Sequence, residues 1–217
     1  MEKKGEMNSK SHFRHFKRET HPLTIEQVKH LLDGAQDSPL KALVTIALVA
    51  GLRRAEIIGL GWQHLGAEDE ILHVRQIISP MGKREATKAA RTIALPKVAL
   101  YALKEHRRCQ EEVRAKAGEA WEDLDLVFPN ERGHYLNPST LRRQSHGLFV
   151  AAGLPHLRFH DLRHSTATLL LVMGAHGSVV QTILGYRSMS TTLNTLAPVS
   201  LSMQREAMQK WDDLLLE

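Results

Sequence analysis

The chain has 217 residues and a formal net charge of +5, with 42% hydrophobic and 5% aromatic residues. That suits one ordinary domain with a core of Leu, Ile, Val and Ala, and no apolar run reaches the length of a membrane span. The single cysteine, Cys109, permits no internal disulfide and the polar first ten residues are no secretory signal, so the cytoplasm is the expected compartment.

Residues 1–20 read as a basic, flexible N-terminal arm carrying Lys10, Arg14, Lys17 and Arg18. Thr24 with Gln27 three residues on is a capping-box signature, and Val28, Leu31 and Leu32 supply the apolar face of the helix behind it. A second helix is expected over 38–49, ended by Gly51, and a third from Arg53 or Arg54. The period then changes to that of strands over 71–78 and 91–95, with a break at Pro80-Met81-Gly82 and a basic connection over 83–90, loop or strand. Helices return over 97–116, followed by an extended piece at 125–129 and a turn at 130–133. Further helices are expected over 137–152, from His160 to Met173, over 179–184 with Gly185 as its stop, and over 190–196. A last amphipathic helix over 202–216 carries Met208, Trp211 and Leu215 on one face. The sum is a mostly α domain with a small antiparallel β-sheet (α+β) over 21–200 and an amphipathic C-terminal helix over 201–217.

Four segments concentrate chemistry. The first is Gly51-Leu52-Arg53-Arg54-Ala55-Glu56-Ile57, after which 125–137 reads Asp-Leu-Val-Phe-Pro-Asn and then Gly-His-Tyr-Leu-Asn. The second, His160-Asp161-Leu162-Arg163-His164, sets a histidine and an arginine one helical turn apart on one face. The third is Leu184-Gly185-Tyr186 and the fourth is Ser190-Thr191-Thr192-Leu193-Asn194-Thr195-Leu196-Ala197-Pro198-Val199. Taken singly, Arg53 and Glu56 also read as a helix-start ion pair, and His160 with Arg163 as a local hydrogen bond. A Ser-His-Asp site on Ser165, His160 and Asp161 is excluded, since adjacent helical positions do not face each other and no nucleophile elbow is present. The thirteen histidines form no zinc-binding spacing, so no metal and no cofactor is expected.

In this order the four segments resemble the motifs of the tyrosine recombinases (phage integrases), T-G-L-R-x-x-E-L, H-x-L-R-H, L-G-H and S-T-T-x-x-x-Y-x-H-V, over residues 20–200. The resemblance implies a recombinase catalytic domain that binds duplex DNA for site-specific recombination and integration. It implies metal-independent transesterification, in which Arg53 and Arg163 hold the non-bridging phosphate oxygens. Arginine suits that task because it is always charged, planar and forked. Lys88, with Lys83 as runner-up, matches the lysine that protonates the leaving 5′-oxygen, His160 matches the histidine that supports proton transfer and binds the phosphate, and Glu56 matches the residue orienting Arg53.

The sequence departs from that pattern at three positions. Leu196 stands where the family has the nucleophilic tyrosine, and leucine has no nucleophilic atom. Tyr186 stands in the histidine position of L-G-H, where it can still donate a hydrogen bond to phosphate or act as a displaced nucleophile. Pro198 replaces the later histidine. Strand cleavage is therefore expected to be impaired while phosphate binding is retained. The residues before Pro22 are too few for the separate N-terminal DNA-gripping domain of family members, so binding is expected to be weak and salt-sensitive. The alternative is a non-catalytic regulatory or decoy module that pairs with an active recombinase, or with itself, through 202–216.

Overall fold

The computed structural model describes residues 22–66, 70–79, 82–186 and 199–216. The expected arm over 1–20, the helix over 190–196 and positions Leu196 and Pro198 lie outside these residues. Helix α1 (Ile25–Gly34) starts on the expected capping box: the Gln27 amide donates to Thr24 Oγ1 at 3.2 Å, and Gln27 Oε1 accepts from the Thr24 amide at 2.9 Å. Helix α2 (Lys41–Val49) is buried from Ala42 to Val49 and packs against both α4 (Lys97–Ala117) and α6 (Phe159–Val172). A helix apolar all round belongs at the centre of a core, and this one sits there. Gly51 then turns the chain at φ +59°, and a Cβ on it would lie 2.3 Å from Leu184 Cδ2, so both conformation and space demand glycine. The short helix α3 (Arg54–Ile58) begins directly after the turn, with Arg53 as its N-cap residue.

The sheet is antiparallel in the order β1 (Leu65–Gly66), β2 (Ile71–Ile78), β3 (Arg84–Ala94). Of the two readings of 83–90, a basic loop or a strand, the structure takes the strand, and β3 runs continuously from Arg84 into the segment expected over 91–95. Its first half is exposed on both faces and lies at the sheet edge, so backbone pairing with β2 holds it with no apolar alternation to betray it. The register is irregular: Val74 pairs with Arg91 and Gln76 with Ala86, so the four residues from Thr87 to Ala90 lie opposite the single Arg75. Lys88 sits in that bulge, a device that re-aims side chains. The two-residue β1 carries no sequence signal and was not expected.

The segment at 125–129 closes into bridges, Gly61 with Leu126 and Pro129 with Tyr135, around the expected turn. Helix α5 (Pro138–Ala151) is capped by Asn137, whose Oδ1 accepts from the Ser139 amide at 2.8 Å. Helix α7 (Gly177–Leu184) ends at Gly185 in the left-handed conformation, φ +66°.

Helix α8 (Leu201–Leu215) packs at home against α4, β3 and α7, burying Ala207, Met208 and Trp211 in the same core cluster as the rest of the chain. Its polar residues finish other elements. Asp212 accepts from the Lys97 and Val98 amides at 2.9 and 2.8 Å, filling the unsatisfied N-terminus of α4, and Gln204 Oε1 accepts from the Ala94 amide at 3.3 Å where β3 ends. The apolar face over 202–216, a candidate partner surface from sequence, is thus occupied within the chain.

Candidate functional site

The site is organised by the C-terminal end of α7. The last carbonyls of a helix lack internal partners and carry partial negative charge, so they attract cations. Three successive carbonyls here each take an arginine from a different part of the chain. Ile183 O accepts from Arg91 Nε at 2.6 Å, Leu184 O accepts from Arg163 Nη2, and Gly185 O accepts from Arg53 Nη2 at 3.4 Å. Two of these arginines are those the sequence singled out. Arg91 is the one that sequence reasoning missed.

Glu56 joins two of them. Its Oε1 accepts from Arg53 Nη1 and Arg91 Nη1, both at 2.9 Å; its Oε2 accepts from the Arg53 amide at 2.8 Å and Arg91 Nη2 at 3.1 Å. The Glu56 side chain is 1% exposed, the Arg91 side chain 5% and the Arg53 side chain 37%. Burial alone would raise the Glu56 carboxyl, but the Arg91 fork and the Arg53 contacts outweigh it and hold the group below its ordinary value. The contribution of Glu56 to stability is therefore present above the unfolded carboxylate value and lost as pH falls through the lower folded value. The prediction is that Glu56→Gln melts well below the parent at neutral pH and that the gap narrows below about pH 4.5. A gap constant from neutral to acid pH in thermal melts would contradict it.

Arg163 is 2% exposed. Its Nη1 donates to Gly51 O and its Nη2 to Leu184 O, tying the turn before α3 to the end of α7. The Tyr186 ring lies over its guanidinium with 4.6 Å between Cζ and the ring centroid, a cation–π arrangement. Burial, and then the nearby charge of Arg53, push the Arg163 value below the ordinary guanidinium range. Against the three arginines stands one carboxylate, Glu56, among the described residues, which leaves two positive charges uncompensated.

His160 lies exposed in the first turn of α6, with its ring edge-on to His164 at 4.9 Å between centroids. Partial burial, then His164 and Arg163, hold it below its ordinary value, so it is neutral at neutral pH and able to accept a proton. Asp161 is committed to Arg158, accepting from its amide at 2.9 Å, from Nε at 3.0 Å and from Nη2 at 2.8 Å. Ser165 is buried, donating to Asp161 O and accepting from the Leu23 amide, in accord with the rejection of a serine triad. Lys88 is exposed on the β3 bulge, three residues before Arg91. Beside His160 opens a groove of about 1050 Å³ lined by Arg54, Arg142, Arg143, His146, His156 and Arg158. The described residues contain no group of three or more His, Cys, Asp or Glu side chains able to hold a metal ion, and no helix long and apolar enough to cross a membrane.

The sequence profile described as the phage integrase family matches residues 21–198. The chain belongs to that family. This integrase domain is 30% identical over 209 residues to a XerC-like tyrosine recombinase of Caldanaerobacter subterraneus, covering 88% of the chain and 54% of the relative. It is 36% identical over 154 residues to the tyrosine recombinase XerC of Mesorhizobium japonicum, covering 70% of the chain and 44% of the relative. The domain thus spans about half the length of the relatives it matches. Among solved structures it resembles the Tn1549 transposon integrase in complex with transposon right-end DNA. The TM-score is 0.68 at 19% identity, over 90% of the domain and 67% of that chain. It also resembles XerA recombinase, with a TM-score of 0.65 at 21% identity, over 89% and 62% of the two chains. These likenesses place the fold as that of a tyrosine-recombinase catalytic domain, mostly helical with a small antiparallel sheet.

Proposed function

We propose that this integrase domain binds duplex DNA for site-specific recombination and integration, seating a backbone phosphate on the arginine cluster at the end of α7. The observation that carries the reading is the gathering of Arg53, Arg91 and Arg163 on three successive carbonyls with a single carboxylate among them. A rigid cation site with surplus charge and one exposed fork is what a phosphodiester requires. Arg53 is the direct donor, Arg163 supplies charge from behind Tyr186, and Tyr186 hydrogen-bonds the phosphate. His160 and Lys88 take the roles of proton-transfer support and leaving-group acid. The groove beyond His160 follows the flanking phosphates with Arg142, Arg143 and Arg158. Strand cleavage is impaired because Leu196 offers no nucleophile at the family's tyrosine position.

Binding is tested by fluorescence anisotropy of a labelled duplex across a salt series. Arg53→Ala is expected to weaken binding about tenfold and to make the log–log salt slope shallower by about 0.9, one phosphate contact. Glu56 keeps its two bonds to Arg91 in that variant, so the fold is preserved. Unchanged affinity and slope would remove the phosphate site. Cleavage is tested with nicked suicide duplexes on a denaturing gel. No covalent adduct is expected from the parent chain, and Leu196→Tyr is expected to form one. An adduct from the parent that maps to Tyr186 would overturn the impairment.

A further inference from the structure

We infer that Arg91 is a positioning residue that lets Glu56 orient Arg53 without cancelling its charge; this rests on the phosphate-site reading above. Glu56 alone with Arg53 would be a neutral pair, fixed in place but of little use to an anion. Arg91 supplies the second cation from the sheet, and its bidentate fork onto both Glu56 oxygens neutralises the carboxylate from the buried side. The set of three keeps one net positive charge. That charge is felt at Arg53, because the Arg53 side chain is 37% exposed and that of Arg91 only 5%.

Arg91 is itself unsuited to touching a ligand. Its Nε is spent on Ile183 O, its Nη1 on Glu56 and Ala89 O, and its Nη2 on Glu56. It is also pinned sterically, for a Cβ on Gly185 would lie 2.9 Å from Arg91 Cδ, so the left-handed glycine that ends α7 also makes room for the arginine stem. Through these bonds Arg91 connects β3, which carries Lys88, to α3, which Arg53 opens, and to the end of α7, which precedes Tyr186. A lysine cannot reproduce the fork, since it is a point charge without paired planar donors.

The test compares Arg91→Met, Arg91→Lys and the double variant Glu56→Gln/Arg91→Met in the same duplex-binding salt series, at a temperature where circular dichroism shows each to be folded. Arg91→Met is expected to lose about as much affinity as Arg53→Ala, roughly tenfold, with a slope shallower by about 0.9, although residue 91 makes no phosphate contact. Arg91→Lys keeps the salt slope and loses less affinity. The double variant regains the slope, because removing the carboxylate frees the charge of Arg53; a merely structural role for Arg91 gives no such recovery. Where Arg91→Met does not fold, the double variant decides: a slope equal to that of the parent supports the inference and one equal to that of Arg53→Ala overturns it. Parental affinity and slope in Arg91→Met, with Arg53→Ala still impaired, also overturns it. No duplex binding by the parent chain would overturn the phosphate site itself, and this inference with it.

Discussion

Arg163→Ala is expected to lower stability by about 3–5 kcal/mol, since it empties the space of a large buried side chain and leaves Gly51 O and Leu184 O without their donors. For a chain of this size that is roughly a 10 °C fall in melting temperature. The bonds lost are the two charge-assisted hydrogen bonds that tie the turn before α3 to the end of α7, together with the Tyr186 contact. Arg53→Ala is expected to cost under about 1 kcal/mol, because its ion pair is part-exposed and Glu56 retains Arg91. The two arginines that look equivalent in the motifs therefore behave differently in a melt. Arg53 is the cleaner probe of phosphate binding, and Arg163→Ala, the natural control by motif alone, confounds binding with folding. Equal melting of the two variants would contradict this division.

The second large effect is expected at Trp211. The side chain is fully buried in the core cluster, and Trp211→Ala is expected to cost about 3–5 kcal/mol. Loss of α8 from its seat would also strip the Asp212 carboxylate from the first amides of α4 and Gln204 from the end of β3. Asp212→Ala isolates the capping share, expected at about 1 kcal/mol. Thermal melts of the two variants check both figures. A stable, fully folded Trp211→Ala protein would mean that α8 contributes little at home and would return its apolar face to the role of a partner surface.

The capping box at Thr24, the helix stops at Gly51 and Gly185, and the strand over 71–78 are all legible in the chain because each is a local signal. A cap joins residues three apart, a glycine stop depends on one residue's own backbone angle, and a strand shows its period within eight residues. The first half of β3 is legible only as loop or strand, since an exposed edge strand held by backbone bonds imposes no apolar pattern.

At the site, Arg53, Glu56, His160 and Arg163 could be named from their motifs, which are compact and ordered along the chain. The motifs also carry the departures at Tyr186, Leu196 and Pro198. What the sequence by itself determined is the family and the fold class, and its motifs named most members of the candidate site. What only the tertiary structure decided is how those members share the work. Arg91 meets Glu56 across 35 positions, and Asp212 caps α4 from 115 positions away. Arg163 becomes a buried tie, and three arginines, from the N-cap of α3, from α6 and from β3, converge on the end of α7. The physical reason is that a charge pair between distant residues leaves no periodicity in either segment. Exposure, which separates Arg53, the proposed phosphate donor, from the buried Arg91 and Arg163, does not exist until the elements have packed.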